Sequence, residues 1–500
     1  MAKSSGKILD EILHDIESSP SGPHIGAIFD YDGTLIAGYS ATAFMREQLM
    51  SGLISPRELR DQFQAIQKFM RGRIGFSAFM EANSGALRGR SEKWFTEFGE
   101  RVFNKSIAGS IYPESRKIVD AHLAKGHTVA IISSATKYQI NPVAYELGIT
   151  NVLCTQMEVE DGIFTGDVLH PTCFGHGKLL AAQDLSRKRD VDLQETYFYT
   201  DSDDDLELLE SVGRPRILNP NSRLDSIARA RSWPTYRFKS RGRPTLQTML
   251  RTGLAYGAMP TAFAATAPIY ALTGEKREML NSAIGMWADY ACAVTGIKLK
   301  IEGEENLWSH RPAVFAFNHQ SSVDALIVAK LIRRDFTAVG KKEIERFPVI
   351  GQLMKFGDVA FIDRGDKKKA MEAMRPVIDA LTTQNLSVAI APEGTRSVST
   401  SLGAFKKGPF HIAMQAGVPM VPIVIHNASD ALPKGRNIAR AATIRISVLD
   451  PVDTTDWSPD MIEDHIDDVR GRFLDALDQA EYDADEELIN LDHWDVPETT

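Results

Sequence analysis

The stretch NHQSSVD at residues 318–324 places a histidine and an aspartate between a predicted strand and a predicted helix. An apolar run at residues 313–317 precedes it, and a helical pattern at residues 325–332 follows it. Positions five apart on one helix point about 140° apart, so His319 and Asp324 can meet only if His319 lies in the loop. Asp324 would then fix the tautomer of the imidazole, and His319 would accept a proton from a substrate hydroxyl. A surface ion pair can have the same spacing, so other motifs in the chain are needed to distinguish a catalytic pair from a surface ion pair.

Three further blocks follow in order: FIDR at residues 361–364, PEGTRS at residues 392–397 and VPI at residues 421–423. With NHQSSVD they resemble the motifs of the glycerolipid acyltransferases, in particular the lysophosphatidic acid acyltransferase family. The resemblance covers about residues 298–448 and implies an α/β acyltransferase domain. Alternating apolar runs and helical patterns agree with that fold. The predicted strands are residues 313–317, 336–339, 358–362, 386–391, 419–425 and 443–449, and the helices between them are residues 323–334, 367–381 and 408–416.

The resemblance also implies roles for individual residues. His319 is the general base and Asp324 orients it. The acceptor of the acyl group binds through Arg364, Arg396, Lys341, Glu393 and Gly394, with Lys342 as an alternative register for the lysine. Arginine suits a phosphorylated acceptor because it makes bidentate phosphate contacts. The VPI block is associated with the donor, which is acyl-CoA in this interpretation, with acyl-carrier protein left open. No serine or cysteine lies in a nucleophile elbow, which favours direct acyl transfer.

In the first half of the chain, three apolar runs each end in polar residues. Residues 25–29 run into Asp30 and Asp32, residues 128–132 into a pair of serines, and residues 197–200 into Asp201. Helical patterns lie between the runs, so the sequence predicts a doubly wound, Rossmann-like parallel sheet. Ligands of such sheets bind beyond the carboxyl ends of the strands, where these polar residues fall. Carboxylates gathered there suit a hard cation such as Mg²⁺, and one of them can carry an aspartyl-phosphate.

Residues 25–234 resemble the haloacid dehalogenase superfamily, in the branch that includes the phosphoserine phosphatases. The resemblance implies that Asp30 is the nucleophile and Asp32 the general acid/base, and that Ser134 and Lys178 bind the phosphoryl group. The neighbouring Ser133 leaves the register of the serine motif open. The implied Mg²⁺ site is formed by Asp30, Asp32, Asp201 and the supporting carboxylate of Asp205. The resemblance implies that Asp32, besides acting as the general acid/base, supplies its backbone carbonyl to the metal.

Residues 36–106 are helical in pattern and rich in aromatic residues. In the family an insertion at this place forms a cap over the active site, and a small helical core would have the same composition. Phosphoserine phosphatases carry a glutamate here that pairs with the substrate ammonium. Tyr39 stands at the corresponding position, which favours a substrate without an amino group.

The composition limits the cellular setting. The three cysteines are scattered, which predicts a reducing compartment without disulfides or thiolate metal sites. Residues 1–23 lack a hydrophobic signal segment. The formal net charge is −9, but residues 481–500 hold eight acids and no Lys or Arg, so the other 480 residues carry 58 acids against 57 bases. We expect no nucleic-acid partner.

The junction between the two halves is basic and then apolar. Between residues 226 and 274 there are seven Lys or Arg and no acid, and residues 252–274 carry no charge. A basic flank before an apolar segment suits anionic lipid headgroups at a cytoplasmic surface. Three placements stay open: a bilayer crossing, an interfacial or re-entrant segment, and a buried helix between domains. Residues 280–294 predict a second amphipathic helix beside it.

The predicted organisation is an extension at residues 1–24, a phosphatase domain at 25–234, a membrane-facing linker at 235–297, an acyltransferase domain at 298–455, and an amphipathic helix with an acidic tail at 456–500. The sequence therefore predicts a bifunctional enzyme of phospholipid biosynthesis on the cytoplasmic face of the membrane, either peripheral or with one inserted segment. Two alternatives remain. In one, the second domain only binds lipid and tethers a phosphatase of a soluble phosphomonoester such as phosphoserine. In the other, both enzymes act but on unrelated substrates.

Overall fold

The computed structural model describes residues 5–53, 56–71, 73–242, 244–346, 349–362, 367–397, 401–477 and 489–490. The chain divides into two compact units. The first ends at Gly242 and also takes in the strand at Ile489–Asn490, and the second runs from Arg243 to Asp483. Each unit has its own seven-stranded sheet and hydrophobic core.

The first unit alternates strands and helices, as predicted. Its strands are β1 (Ile25–Phe29), β2 (Thr128–Thr136), β3 (Asn151–Thr155), β4 (Met157–Glu160), β5 (Ile163–Val168), β6 (Asp192–Thr200), β7 (Arg214–Leu218), β8 (Thr235–Tyr236) and, from the end of the chain, β16 (Ile489–Asn490). Its helices are α1 (Ser5–Glu17), α2 (Ser40–Met50), α3 (Pro56–Met70), α4 (Phe76–Ser84), α5 (Glu92–Val102), α6 (Pro113–Ala124), α7 (Lys137–Leu147), α8 (His176–Arg189), α9 (Leu206–Ser211) and α10 (Ser222–Ala230).

The main sheet of this unit is parallel throughout, in the order β16-β3-β2-β1-β6-β7-β8. Strand β1 is buried along its whole length between β2 and β6. Its side chains alternate between two cores, with Ile28 on one face and Phe29 on the other. A strand buried on both faces must be apolar throughout, which is why the sequence alone identified it. The predicted doubly wound sheet is confirmed.

The aromatic-rich insertion between β1 and β2 folds into helices α2 to α5. Phe44, Phe95 and Phe98 are buried, and their ring centroids lie 5.6–6.1 Å apart. A second aromatic group joins this insertion to the loop before α8, where Phe76 stacks on Phe174 at 4.5 Å. The aromatic residues thus pack the helices of the insertion against one another and against the loop before α8.

The second unit again mixes both element types. Its helices are α11 (Leu246–Thr273), α12 (Lys276–Thr295), α13 (Asn306–Ser309), α14 (Asp324–Ile332), α15 (Ile350–Phe356), α16 (Lys367–Thr382), α17 (Lys407–Ala416), α18 (Ala428–Ala431) and α19 (Ile462–Ala476). Its strands are β9 (Ile297–Glu302), β10 (Val314–Phe317), β11 (Phe336–Lys341), β12 (Ala360–Ile362), β13 (Ser387–Ile390), β14 (Met420–Ile425) and β15 (Ala442–Val448).

The sheet of the second unit has the order β12-β11-β13-β10-β14-β15-β9. Only the β14–β15 pairing among these strands is antiparallel. All six predicted strands are present, and each agrees within about two residues. Strand β9 was not predicted, because its alternation of Lys with apolar residues marks a half-exposed edge strand and not a buried run. Strand β10 lies at the centre and delivers the NHQSSVD stretch to the carboxyl edge of the sheet.

The apolar segment of the junction lies within α11, which continues through Pro260 and Pro268 and ends at Gly274 in the left-handed conformation (φ 73°). Helix α11 packs against α12, so the predicted second helix is confirmed. No helix in the described part of the chain combines the length and the hydrophobicity that a bilayer crossing requires.

The core of the first unit contains a buried pair of histidines. The Nδ1 atoms of His122 and His127 lie 2.8 Å apart, and Nε2 of His122 lies 2.9 Å from the Tyr199 hydroxyl. His127 Nε2 lies 2.9 Å from the carbonyl oxygen of Pro20. Burial lowers the pKa of both imidazoles, and the positive charges of Arg216 and Arg214 further lower that of His122. The native state therefore holds these rings neutral.

Acidification should weaken this histidine pair. A depressed native-state pKa contributes stability above the unfolded-state pKa of about 6.5, and that stability is lost as the pH falls below it. We expect His122→Gln, which cannot be protonated, to be less stable than the wild type at pH 7.5 and to show a smaller deficit at pH 5.5. Denaturant unfolding at both pH values measures this, and carboxylates with the opposite pH dependence cancel because both proteins contain them. A deficit that stays constant with pH would contradict the prediction.

Candidate active sites

The first site lies where β1, β2 and β6 end. Asp30 follows β1 directly, and its backbone N–H donates to the carbonyl of Tyr199 on β6 (2.9 Å), so its position is fixed by the sheet. Its side chain is almost fully buried. Burial, with the negative charge of Asp205, raises the pKa of Asp30 to about 6, although Lys178 opposes the shift.

Lys178, in the first turn of α8, is the buried cation of this site. Its Nζ lies 2.8 Å from Asp30 Oδ1 and 2.8 Å from Asp205 Oδ1. Asp205 also accepts a hydrogen bond from the hydroxyl of Thr200 (2.5 Å). The two carboxylates raise the pKa of Lys178 despite its burial, so the lysine stays charged. Asp205 thus holds Lys178 against Asp30.

Asp32 lies in a different environment from Asp30. Its carboxylate accepts hydrogen bonds from the backbone N–H (2.7 Å) and the hydroxyl (3.1 Å) of Ser40, at the start of α2. Burial, together with the charge of Asp30, raises the pKa of Asp32 to about 7 despite these bonds. A carboxyl group with this pKa can both donate and accept a proton at neutral pH.

Asp201, after β6, packs directly against the turn that follows β1. A Cβ on Gly33 would lie 2.1 Å from its Oδ2, and Gly33 has φ 78°, so only glycine fits there. Burial and the charges of Asp30 and Asp205 raise the pKa of Asp201 to about 8. The site therefore concentrates more negative charge than Lys178 alone can balance.

Most of the predicted Mg²⁺ ligands of this site are carboxylates that already have partners in the protein. No group of three or more His, Cys, Asp or Glu side chains among the described residues is arranged to hold a metal ion. Lys178 contacts both oxygens of Asp205 but only Oδ1 of Asp30, and Ser40 contacts both oxygens of Asp32, which leaves Oδ2 of Asp30 and the carboxylate of Asp201 outside these contacts. Two crowded carboxylates with a backbone carbonyl nevertheless fit Mg²⁺, because this ion keeps several water ligands.

The two candidate serines at the end of β2 differ in burial. Ser133 is buried, and its Oγ accepts the backbone N–H of Ala135 (3.3 Å), whereas Ser134 is half-buried. The pairing of β2 with β3 becomes irregular after Ser133. Ser134 is the more accessible of the two to a ligand, and its role stays a prediction.

Tyr39 lies at the solvent side of the carboxylates, with 70% of its surface exposed. Partial burial and the negative charges of Asp201, Asp32 and Asp30 raise the pKa of its phenol. A neutral hydroxyl therefore stands at the entrance to this site, where the resemblance would place a carboxylate.

The second site is built on the loop between β10 and α14. Its first residue, Asn318, is buried and forms two hydrogen bonds with the backbone of Ile425 on the neighbouring β14: Nδ2 donates to the carbonyl (2.9 Å), and Oδ1 accepts the N–H (2.7 Å). The loop is thereby fixed to the sheet at the point where β10 ends.

His319 and Asp324 meet as predicted, with His319 in the loop and Asp324 at the first position of α14. Nδ1 of His319 lies 2.8 Å from Oδ2 of Asp324, which is fully buried. The same oxygen accepts the backbone N–H groups of Gln320 and Ser321, both at 2.8 Å. Because this oxygen acts as an acceptor, Nδ1 must carry the proton. Nε2 is then free to accept one, and the His319 side chain is partly exposed.

Glu393, after β13, holds this loop from the other side. Its buried carboxylate accepts the N–H of His319 (2.7 Å) through Oε1 and the N–H of Gly403 (3.1 Å) through Oε2. The carbonyl of His319 accepts the N–H of Ser397 (2.6 Å). Gly394 has φ 72°, which turns the chain back after Glu393. Glu393 therefore makes backbone contacts that position His319.

Two cationic side chains lie beside this loop, and the predicted acceptor-binding residues are placed as follows. Arg396 Nη1 donates to the hydroxyl of Ser322, and Lys434 Nζ donates to the backbone carbonyl of Arg396 (2.8 Å). Lys341, at the carboxyl end of β11 in the same sheet, is exposed and lies 3.0 Å from Glu343 Oε1. Arg364 lies outside the described residues. Pro422 of the VPI block is buried in β14 beside β10 and so has a role in the sheet.

Comparison with known proteins gives each unit a family. The family described as haloacid dehalogenase-like hydrolase matches residues 27–210, and the family described as acyltransferase matches residues 298–426. A histidinol-phosphatase of Neisseria meningitidis is 32% identical over 218 residues, which cover 43% of this chain and 98% of that protein. An uncharacterised acyltransferase of Schizosaccharomyces pombe is 31% identical over 189 residues, 37% of this chain and 68% of that protein.

The chain belongs to both families.

A 1-acyl-sn-glycerol-3-phosphate acyltransferase of Limnanthes douglasii is 35% identical to the acyltransferase unit over 173 residues, which cover 35% of this chain and 61% of that protein. The chain thus spans about three fifths of the length of this plant relative. The matched ranges contain all the predicted site residues of both units.

The contacts that complete each site were not visible in the sequence. In the hydrolase unit they are the hydrogen bonds of Ser40 to Asp32 and of Thr200 to Asp205. In the acyltransferase unit it is the hydrogen bond from Lys434, in the Pro-Lys-Gly turn that follows α18, to the backbone carbonyl of Arg396. The short LPKG segment was a possible signal, since a lysine between Pro and Gly is presented by a turn.

Glu393→Gln should loosen the catalytic loop of the acyltransferase unit. An amide offers one acceptor oxygen, so one of the two N–H groups that Glu393 now accepts would face an NH₂ group. An unsatisfied buried donor costs about 1–3 kcal/mol. We expect faster hydrogen–deuterium exchange at residues 319 and 403, measured by mass spectrometry.

The matched control for this variant is Glu304→Gln, at an exposed position in the same unit. It should leave exchange at residues 319 and 403 unchanged. Equal exchange in Glu393→Gln and in the control would show that Glu393 does not hold the loop.

Proposed function

We propose that this chain is a bifunctional enzyme of phospholipid biosynthesis. The acyltransferase unit transfers an acyl group from acyl-CoA to lysophosphatidic acid and forms phosphatidic acid, and the hydrolase unit cleaves a phosphomonoester. The observation that carries the first activity is the His319–Asp324 pair, in which a buried carboxylate fixes Nδ1 and leaves Nε2 accessible. A module that only bound lipid would not need a general base, and this favours the enzyme over the tethering alternative.

In the acyl transfer, Nε2 of His319 takes the proton of the acceptor hydroxyl while the hydroxyl oxygen attacks the thioester carbonyl. Collapse of the tetrahedral intermediate breaks the carbon–sulfur bond, and the proton on His319 passes to the leaving thiolate. Asp324 stabilises the imidazolium between these steps through its 2.8 Å contact with Nδ1. The products are phosphatidic acid and free CoA. An acyl-carrier protein would supply the same thioester.

The acceptor phosphate is bound by the cations of the same sheet edge. Arg396 is fixed beside the loop through Ser322, and Lys341 ends a parallel strand of the same sheet, so both lie on the side where His319 is exposed. Arg364 is included in this set on the resemblance of the FIDR block. The name of the Limnanthes relative agrees with this choice of acceptor.

In the hydrolase unit, a carboxylate oxygen of Asp30 attacks phosphorus while the neutral carboxyl of Asp32 protonates the leaving alkoxide. Asp32 then takes a proton from the water that hydrolyses the aspartyl-phosphate, which returns both residues to their first state. The pKa of Asp32 near 7 suits both steps. Lys178 and Ser134 hold the phosphoryl oxygens. When bound, Mg²⁺ would be held by Asp30, Asp201 and the Asp32 carbonyl, and would neutralise phosphoryl charge.

Two substrates are candidates for the hydrolase unit. Phosphatidate is favoured because it is the product of the other unit and because Tyr39 offers no carboxylate to an ammonium group. Hydrolysis of phosphatidate gives diacylglycerol and draws the first reaction forward. A soluble phosphomonoester is the second candidate, favoured by the match to nearly the whole length of a histidinol-phosphatase.

We further propose that the α11–α12 pair lies at the cytoplasmic surface of a membrane. Large apolar side chains on these helices are exposed to solvent: Leu246, Met249, Leu250, Leu254, Tyr256, Tyr270, Leu272, Met286 and Tyr290. Arg251 on α11 is exposed as well, and it provides attraction to anionic headgroups. Both proposed lipid substrates would then stay in the layer that the enzyme contacts.

His319→Ala should lower acyl transfer by about 10²–10⁴-fold, because a general base contributes that much. Hydrolysis of p-nitrophenyl phosphate by the same protein should be unchanged. The control is His310→Ala, which removes an exposed histidine of the same unit. Wild-type acyl transfer in His319→Ala would exclude this residue as the base.

Wild-type protein given labelled lysophosphatidate, acyl-CoA and Mg²⁺ should accumulate diacylglycerol, as thin-layer separation of the products over time would show. Asp30→Asn should stop at phosphatidate, because an amide cannot form the aspartyl-phosphate. Asp190→Asn, at an exposed position with φ 54° that Asn tolerates, is the control and should behave as wild type.

If the wild type also stops at phosphatidate, the two reactions are not coupled. The hydrolase unit would then be assayed with histidinol phosphate and phosphoserine, for which phosphate release by the wild type and not by Asp30→Asn would establish the second candidate.

A further inference from the structure

Lys434 lies beside the catalytic loop of the acyltransferase unit, although it is 110 residues further along the chain than Asp324. Its Nζ donates to the backbone carbonyl of Arg396 at 2.8 Å. The segment that carries it is fixed to the loop, because the hydroxyl of Ser321 donates to the carbonyl of Leu432 at 2.6 Å. Lys434 therefore has a defined position relative to His319.

Arg396 is fixed to the same loop by two contacts. Its guanidinium donates to the hydroxyl of Ser322, and the N–H of the next residue, Ser397, donates to the carbonyl of His319 at 2.6 Å. Lys434 and Arg396 are thus two cations that hydrogen bonds hold beside the loop that carries the proposed base.

No carboxylate among the described residues forms an ion pair with Lys434 or with Arg396. Partial burial and the positive charge of Arg396 lower the pKa of Lys434, while Glu393 opposes this shift from a position where its carboxylate is occupied by backbone N–H groups. An anion bound between the two cations would relieve their repulsion.

Lys434 also has donors to spare. An ammonium group has three N–H donors, and the carbonyl of Arg396 takes one of them. Two donors remain for the oxygens of a phosphate, and the Arg396 guanidinium provides the planar partner that phosphates favour.

We propose that Lys434 binds the phosphate of the acyl acceptor together with Arg396, and so makes the acyltransferase unit select phosphorylated acceptors. This inference rests on the proposed acyl-transfer function and adds a phosphate-binding residue that lies outside the four sequence blocks. A phosphomonoester with a free neighbouring hydroxyl is the chemistry that fits, because the anion is held beside the base that activates the hydroxyl.

The kinetic test compares Lys434→Ala and Lys434→Arg with Lys300→Ala, a control that removes an exposed lysine from β9. Loss of one charge-assisted hydrogen bond to phosphate should raise the KM for lysophosphatidate about tenfold or more. The KM for acyl-CoA should stay within about twofold of wild type, since the proposal places the acceptor phosphate and not a CoA phosphate at Lys434. The preference for lysophosphatidate over monoacylglycerol should fall by the same factor, and Lys434→Arg should recover most of it.

A binding measurement separates this inference from the acyl-transfer proposal. His319→Ala protein is mixed with phosphatidylcholine vesicles that contain either lysophosphatidate or monoacylglycerol, and bound protein is measured by flotation. We expect stronger binding to the lysophosphatidate vesicles, and loss of that difference when Lys434→Ala is added.

An unchanged difference in the double variant, or a change confined to the acyl-CoA KM, would overturn the role of Lys434. Absence of acyl transfer by the wild type, with the lysophosphatidate preference intact and dependent on Lys434, would overturn the acyl-transfer proposal and leave the phosphate site supported.

Discussion

The buried carboxylate of Asp324 is the constraint on which the acyltransferase site depends. One oxygen accepts three donors at 2.8 Å: the Nδ1–H of His319 and the backbone N–H groups of Gln320 and Ser321. A loop that leaves the end of a buried strand exposes N–H groups that must find acceptors, and an unsatisfied one costs free energy. Asp324 satisfies these groups and orients the imidazole with the same atom. The fold of the loop and the chemistry of His319 therefore have one cause.

In the hydrolase unit, a buried lysine and not backbone N–H groups provides the partner of the buried carboxylates. Lys178 lies between Asp30 and Asp205 at 2.8 Å from each, and all three are buried. Removing one member of such a group leaves an uncompensated buried charge, which strongly destabilises the folded state. Burial and the negative charge of Asp30 raise the pKa of the remaining acids, Asp32 and Asp201, to about 7 and about 8, although Lys178 opposes both shifts. Crowded acids of this kind favour a bound cation, and the cation in turn would offset the negative charge of a phosphoryl group.

The sequence could predict those parts of the two units that depend on local pattern. The buried strands β1 and β10 are continuous apolar runs, and the polar residues after them mark the carboxyl edges where both sites lie. Contacts between distant segments could not be predicted. Lys434 reaches the carbonyl of Arg396 from a turn that the hydroxyl of Ser321 holds through the carbonyl of Leu432. Neither hydrogen bond can be predicted from a local sequence pattern. Glu393 was predicted to bind the acceptor, but its orientation toward the N–H groups of His319 and Gly403 depends on the packing of two loops. Edge strand β9 was missed because its Lys residues face solvent.

The proposed role of His319 requires that Asp324 hold its Nδ1–H tautomer and leave Nε2 able to act as a base. The most direct measurement is an NMR spectrum of the protein labelled with ¹⁵N-histidine, in which His319→Ala identifies the resonances of His319. At a pH where the ring is neutral, we expect a protonated Nδ1 and an unprotonated Nε2, and loss of this pattern in Asp324→Asn. A neutral His319 that carries its proton on Nε2 in the wild type would show that Asp324 does not prepare His319 to act as the base.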